Sequence, residues 1–222
     1  MVIFINLTKK IVVVGHYGSG KTEFSVNLAL KLREMGEKVT IVDLDVVNPY
    51  FRTKDAQEEL EKNGIEVVVS DYANSNVDVP ALPPNINTVF YKEGYVIFDV
   101  GGDDDGAIAL GRFKPYFDKA PYDMLGVVNF RRPLTLDAEE ATEALSAIEQ
   151  TSRLKFTGIV NNTNISDETT EETVLLSMPE AEKTAENMNC GVRFVSAKKS
   201  ICDGLKPLGD KLFPIDIKLK KW

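Results

Sequence analysis

The 222-residue sequence is poor in cysteine, histidine and tryptophan, with two, one and one of each. Two cysteines, Cys190 and Cys202, make no disulfide framework and point to a reducing compartment. They form no C-x-x-C or C-x-C pair, which removes support for a bridged iron–sulfur cluster or a metal carrier. Basic residues are in deficit: Lys+Arg is 26 against 34 Asp+Glu, a net charge of −8. That balance argues against direct binding of nucleic acid. No apolar run approaches the ~18 residues that span a bilayer, so stable membrane insertion is not expected. The opening MVIFINLTKK carries its charge after a short apolar stretch, the reverse of a secretory signal. A soluble, cytoplasmic chain is the expectation, organised as one domain over residues 1–222.

What is present is an alternation. Short β-branched runs occur at Ile11–Val14, Val39–Val42, Ile65–Val69, Tyr95–Val100, Leu125–Val128, Phe156–Val160 and Val192–Val195. They are continuous rather than alternating, as in strands buried on both faces. Helical patterns lie between them. Phe24, Leu28, Leu32 and Met35 share a face, and Gly36 supplies a stop. Leu136, Ala141, Leu145 and Ile148 form a second stripe within 135–152, and an acidic helical stretch over 167–188 breaks near Pro179. The tail 214–222 reads as a late edge strand. The expected fold is α/β, three-layered, with a mostly parallel twisted sheet and helices on both faces.

Residues 15–22, Gly-His-Tyr-Gly-Ser-Gly-Lys-Thr, fit G-x-x-x-x-G-K-[ST] directly after a strand and before a helix. Glycines let the backbone curl so that successive amides face phosphate oxygens, and the helix N-terminus adds its dipole. Lys21 reaches terminal phosphates, and the Thr22 hydroxyl suits Mg²⁺. Asp43 and Asp45 end the second strand, and Asp99 ends the fourth before Gly101-Gly102. In a parallel sheet such ends face one crevice. Any one of these acids alone reads better as a cap or a solvated charge; three beside a phosphate loop read as a Mg²⁺–nucleotide site. The run Asp103-Asp104-Asp105 reads as a solvated loop and helix start.

Together these motifs resemble the MinD/ParA-like branch of P-loop NTPases, which also holds the nitrogenase iron protein. GHYGSGKTEFSVNLAL resembles that family's phosphate loop and first helix, EKVTIVDLDVVNPYFR its second strand and first switch, YVIFDVGGDDDG its magnesium strand and second switch, and FTGIVNN its base-recognising strand end. The resemblance implies a nucleotide cradle of Gly15, His16, Tyr17, Gly18, Ser19, Gly20, Lys21, Thr22 and Glu23. It implies Mg²⁺ held by Thr22 and, through water, by Asp99. Asp45 would orient the attacking water, with Asp43 in support, and Asn162, or else Asn161, would meet adenine. It further implies ATP hydrolysis to ADP and phosphate as a switch, a nucleotide-dependent homodimer and a protein partner that the sequence does not identify. Many members carry a second lysine where this chain has His16. Arg52, Lys54 and Arg112 are candidate substitutes, each of which also reads as a surface cation. A GTPase is the alternative, from Ser196-Ala197-Lys198, although Asn161-Asn162-Thr163-Asn164 replaces N-K-x-D. A small-molecule kinase or ligase with an acceptor pocket in 74–85, and a binder without turnover, are the others.

Overall fold

The computed structural model describes residues 6–45, 53–69, 86–102 and 104–218. Its frame is an eight-stranded sheet, all parallel. In chain order the elements are β1 (Lys10–Val14), α1 (Lys21–Glu34), β2 (Val39–Leu44), α2 (Gln57–Lys62), β3 (Glu66–Val68), β4 (Tyr95–Val100), α3 (Asp104–Gly111), α4 (Lys114–Phe117), β5 (Asp123–Val128), α5 (Ala138–Ser152), β6 (Gly158–Asn161), α6 (Glu171–Leu176), α7 (Met178–Asn187), β7 (Gly191–Lys198) and β8 (Leu212–Ile215). The spatial order is β3-β2-β4-β1-β5-β6-β7-β8. β1 thus lies between β4 and β5, and the chain winds away from it in both directions.

The period of two along each strand divides the core into two layers. Val12, Val14, Val42, Leu44, Val96, Phe98 and Val100 face one cluster, shared with α3, α5 and α7. Ile11, Val13, Ile41 and Ile97 face the other, shared with α1 and α2. Continuous apolar runs follow, because both faces of the sheet are covered. Phe24, Leu28 and Leu32 of α1 are fully buried, and each such side chain contributes about 1.5–3 kcal/mol through burial. Phe24 also meets Phe194 at 5.7 Å and Phe213 at 5.2 Å, which fixes the first turn of α1 against β7 and β8.

Several boundaries differ from those the sequence predicts. Met35 is 48 % exposed, because α1 ends at Glu34 and Gly36 turns the chain with φ 87°. Leu136 lies outside α5 and is exposed; Asp137 caps that helix, accepting from the Glu140 amide at 2.9 Å, and Ala138 takes the buried position. The acidic stretch divides at Ser177, and Pro179 stands in the first turn of α7, where its missing N–H costs nothing. The late edge strand begins at Leu212, and its continuation is held by α1: the Asp216 amide donates to Asn27 Oδ1 at 2.9 Å and the Lys218 amide to Glu23 Oε1 at 2.7 Å. No described helix is long and apolar enough to cross a membrane.

Candidate functional site

The carboxyl ends of β1, β2, β4, β5 and β6 meet around residues 15–22. Gly20 carries φ 86° and closes the loop onto α1, whose first turn has no side-chain cap. Its amides are therefore left for a ligand. A Cβ on Gly20 would stand 2.2 Å from Asn162 Nδ2, so only glycine fits. Asn162, at the end of β6, braces the loop from outside: its Nδ2 donates to the Ser19 carbonyl at 2.7 Å, and its Oδ1 accepts from Ser196 Oγ at 2.6 Å. Ser19 Oγ is the one buried polar side-chain atom without a hydrogen-bond partner among the described residues. An unsatisfied hydroxyl in an uncapped loop is what an anion would complete.

The three aspartates come together as the sheet register dictates. Asp43 of β2 is the direct partner of Asp99 of β4, and Asp99 is also the partner of Val13 of β1. Val13 faces α1, so Asp99 and Asp43 do too, and a spacing of two keeps Asp45 on that side. Lys21 Nζ lies 3.6 Å from Asp45 Oδ2, with both residues 5 % exposed. Asp43 Oδ1 accepts from the Asp45 amide at 2.9 Å and fixes that turn.

Asp99 is fully buried. Its Oδ2 accepts from Thr53 Oγ1 at 2.8 Å and its Oδ1 from Ser25 Oγ at 3.2 Å. Burial pushes its carboxyl up to about 6 from an ordinary 3.8, against the opposing pull of Lys21 and of hydrogen bonds from Thr53 and Thr22. Sequence reasoning missed Ser25 and Thr53 in this role. A polar residue on the otherwise buried face of α1 was the available signal for Ser25; Thr53 carried none, since its approach depends on the whole β2–α2 connection.

Gly102 sits on the phosphate loop: a Cβ there would stand 2.5 Å from the Gly15 carbonyl oxygen and 2.8 Å from the Tyr17 nitrogen. Gly102 and the loop are thus in close backbone contact. His16 is half-buried and Tyr17 exposed within the loop. Glu23 Oε1, in the first turn of α1, accepts from Asn27 Nδ2 at 3.0 Å and from the Lys218 amide, so it ties the helix to the C-terminal segment. Asn161 is turned away from the loop; its Nδ2 donates to Ser177 Oγ at 2.8 Å and its Oδ1 accepts from Thr163 Oγ1 at 2.7 Å.

Among the substitute cations, Arg112 is exposed in the turn after α3, while Arg52 and the side chain of Lys54 lie outside the described residues. Asp103 and the loop 74–85 also lie outside them; Asp105 is exposed, as expected of a solvated helix start. A 3₁₀ turn at Ser166–Glu168 brings Asp167 to Lys198, Oδ1 to Nζ 2.6 Å, at the end of β7. No described cluster of three or more His, Cys, Asp or Glu forms a metal cage by itself. The donors here, Thr22 and Asp99, suit a cation that brings phosphate oxygens with it.

Solved structures share this fold at low identity. FtsY, a cell division protein of Thermotoga maritima, is 19 % identical with a TM-score of 0.58, over 98 % of this chain and 70 % of that one. Chloroplast FtsY of Physcomitrella patens is 18 % identical with a TM-score of 0.58, over 98 % and 65 %. The signal recognition particle receptor FtsY of Elizabethkingia anophelis, solved with GDP, is 18 % identical with a TM-score of 0.51, over 87 % and 58 %. This chain therefore spans about two thirds of the length of those proteins. No curated protein matches the sequence significantly. The model of the CobQ/CobB/MinD/ParA nucleotide-binding domain matches residues 11–189, strand β1 through α7, and the chain belongs to that family of P-loop NTPases.

Proposed function

We propose that the chain binds Mg²⁺–ATP at residues 15–22 and hydrolyses it to ADP and phosphate as a nucleotide-dependent switch. The observation that carries this reading is the convergence of Lys21, Thr22, Asp45 and Asp99, all buried, on a loop with an unsatisfied Ser19 hydroxyl and an uncapped helix end. The loop amides and Lys21 bind the β- and γ-phosphates. Lys21 also holds Asp45 in place, and Asp45 orients the attacking water in line with the γ-phosphorus. Mg²⁺, held by Thr22 and through water by Asp99, supplies charge neutralisation on the phosphate oxygens when bound. Thr53 bonds Asp99 and Gly102 touches the loop, so the γ-phosphate site has direct contacts through which ATP would order, and its hydrolysis would release, the neighbouring chain. Asn162 retains one N–H and one lone pair beyond its bonds to Ser19 and Ser196, which suits an adenine edge. Nucleotide-dependent pairing with a second copy, and a protein partner, belong to the same reading.

A guanine nucleotide is the second reading. Asp167, in the turn after β6, is a carboxylate of the kind that guanine's N1 and N2 protons would need, it pairs with Lys198 at the end of β7, and one solved structure of similar fold holds GDP. Phosphate release from Mg²⁺–ATP and Mg²⁺–GTP, measured over a range of protein concentrations, tests both. Turnover of ATP alone, with a specific rate that rises with concentration, supports the first reading and its dimer. Turnover of GTP alone replaces it with the second. No binding of either nucleotide overturns the site.

A further inference from the structure

The loop itself offers a single permanent cation, Lys21, and that ammonium is engaged with Asp45 at 3.6 Å. A triphosphate, and a transition state with more charge at its edge, need a second one. Resting on the nucleotide site above, we propose that Arg132 is that cation, a catalytic guanidinium supplied in cis from the β5–α5 turn to the γ-phosphoryl group. A Cβ on Gly18, in the middle of the loop, would stand 3.8 Å from both Cδ and Nε of Arg132. The Arg132 side chain therefore lies beside the loop at Gly18, Nε included. It makes no hydrogen bond or ion pair with another described residue, although acids are abundant in the chain.

The turn that carries Arg132 is rigid. Asn129, fully buried, anchors it: the Arg132 amide donates to the Asn129 carbonyl at 3.1 Å and the Arg131 amide to Asn129 Oδ1 at 3.0 Å. Thr135 Oγ1 donates to the Asn129 carbonyl at 2.9 Å and closes the turn. Leu134 takes φ 65° within it, a conformation that an L residue adopts only when its surroundings demand it. The same Asn129 Oδ1 accepts from the Asn164 amide at 3.2 Å; Asn164 Nδ2 donates to the Asn162 carbonyl at 2.7 Å, and Asn162 Nδ2 donates to Ser19 in the loop. One continuous run of hydrogen bonds thus sets the turn and the phosphate loop in fixed relation, while the arginine stem above it is exposed and able to swing. During hydrolysis the water oxygen forms the new bond to phosphorus as the bond to the β-phosphate oxygen breaks. The leaving diphosphate takes the electron pair, and the water proton passes to phosphate or solvent. Arg132 forms no covalent bond and transfers no proton; its five donors follow the charge on the γ-phosphoryl oxygens.

The test measures binding of ADP and GDP, alone and with aluminium fluoride as a transition-state mimic, in the wild type, Arg132→Ala and Arg132→Lys. Arg132 is exposed, so its variants keep the fold. The expected result is at least tenfold tighter binding of the fluoride complex by the wild type. Arg132→Ala should bind the bare diphosphate within about twofold of wild type but lose the tightening, and Arg132→Lys should retain part of it. Full tightening in Arg132→Ala makes this residue a solvated cation and overturns the proposal. Equal weakening of both forms makes it a ground-state clamp and likewise overturns the proposal, as does a wild type that shows no tightening. A wild type that binds neither diphosphate fails earlier, at the nucleotide site itself.

Discussion

Replacing Gly102 with alanine adds one methyl group where the structure leaves no room. The new Cβ would approach the Gly15 carbonyl oxygen to 2.5 Å, the Tyr17 nitrogen to 2.8 Å and the His16 carbonyl carbon to 2.9 Å, whereas ordinary contact begins at 3.4 Å. All three atoms are backbone, so no side chain can swing away. The β4–α3 turn and the phosphate loop must separate by roughly 0.5–0.9 Å, the difference between those distances and ordinary contact. Overpacking of this kind costs about 1–3 kcal/mol of stability, a fall in Tm of about 2–12 °C for a chain of this size. The effect on ligand is larger, because hydrogen bonds from loop amides work only within a few tenths of an ångström. A displacement approaching 1 Å at such a site costs on the order of 100-fold. Fluorescent ADP and GDP analogues should therefore bind Gly102→Ala at least tenfold more weakly than wild type, while circular dichroism stays unchanged. Gly191→Ala is the control: it meets nothing within 4 Å at ordinary backbone angles, and should leave both measurements unaltered. Affinity within twofold of wild type in Gly102→Ala would refute the coupling of this turn to the loop.

Three further outcomes follow from the same geometry. Lys21→Ala should abolish detectable nucleotide binding, read by calorimetry; unchanged affinity would remove residues 15–22 from the site. Asp45→Ala should preserve binding of the diphosphate and lower phosphate release by about 100-fold or more, the order expected when a positioned group is lost; surviving turnover would assign the water to another residue. In metal-free protein, Asp99 should make stability depend on pH. Its folded value of about 6 lies above the ordinary 3.8, so the folded state holds a proton there that the unfolded chain has lost. This contribution is fully present below the unfolded value and disappears as pH rises through 6. Urea unfolding in EDTA should show the wild type losing stability relative to Asp99→Asn between pH 4 and pH 7.5, by about 3 kcal/mol at most. A difference that does not change with pH would mean that Asp99 is not held in a desolvated site.

The strands and the phosphate loop were legible in the sequence because each is a local property. A continuous β-branched run such as Ile11–Val14 has one stable use, a strand covered on both faces, and Gly-x-x-x-x-Gly-Lys-Thr after such a run turns the backbone in one way. Asp43, Asp45 and Asp99 were legible as crevice residues because they stand at strand ends. Element ends were less legible, since Met35 and Leu136 continue an apolar periodicity that capping by Gly36 and Asp137 cuts short. What the linear order could not convey was which distant polar groups share the crevice. Thr53 reaches Asp99 across 46 positions, Asn162 reaches Ser19 across 143, and Arg132 comes to lie beside Gly18 from a different strand end. Those meetings depend on strand order and register. Parallel strands deliver their carboxyl ends to one edge of the sheet, but only the packed sheet decides which of those ends are neighbours.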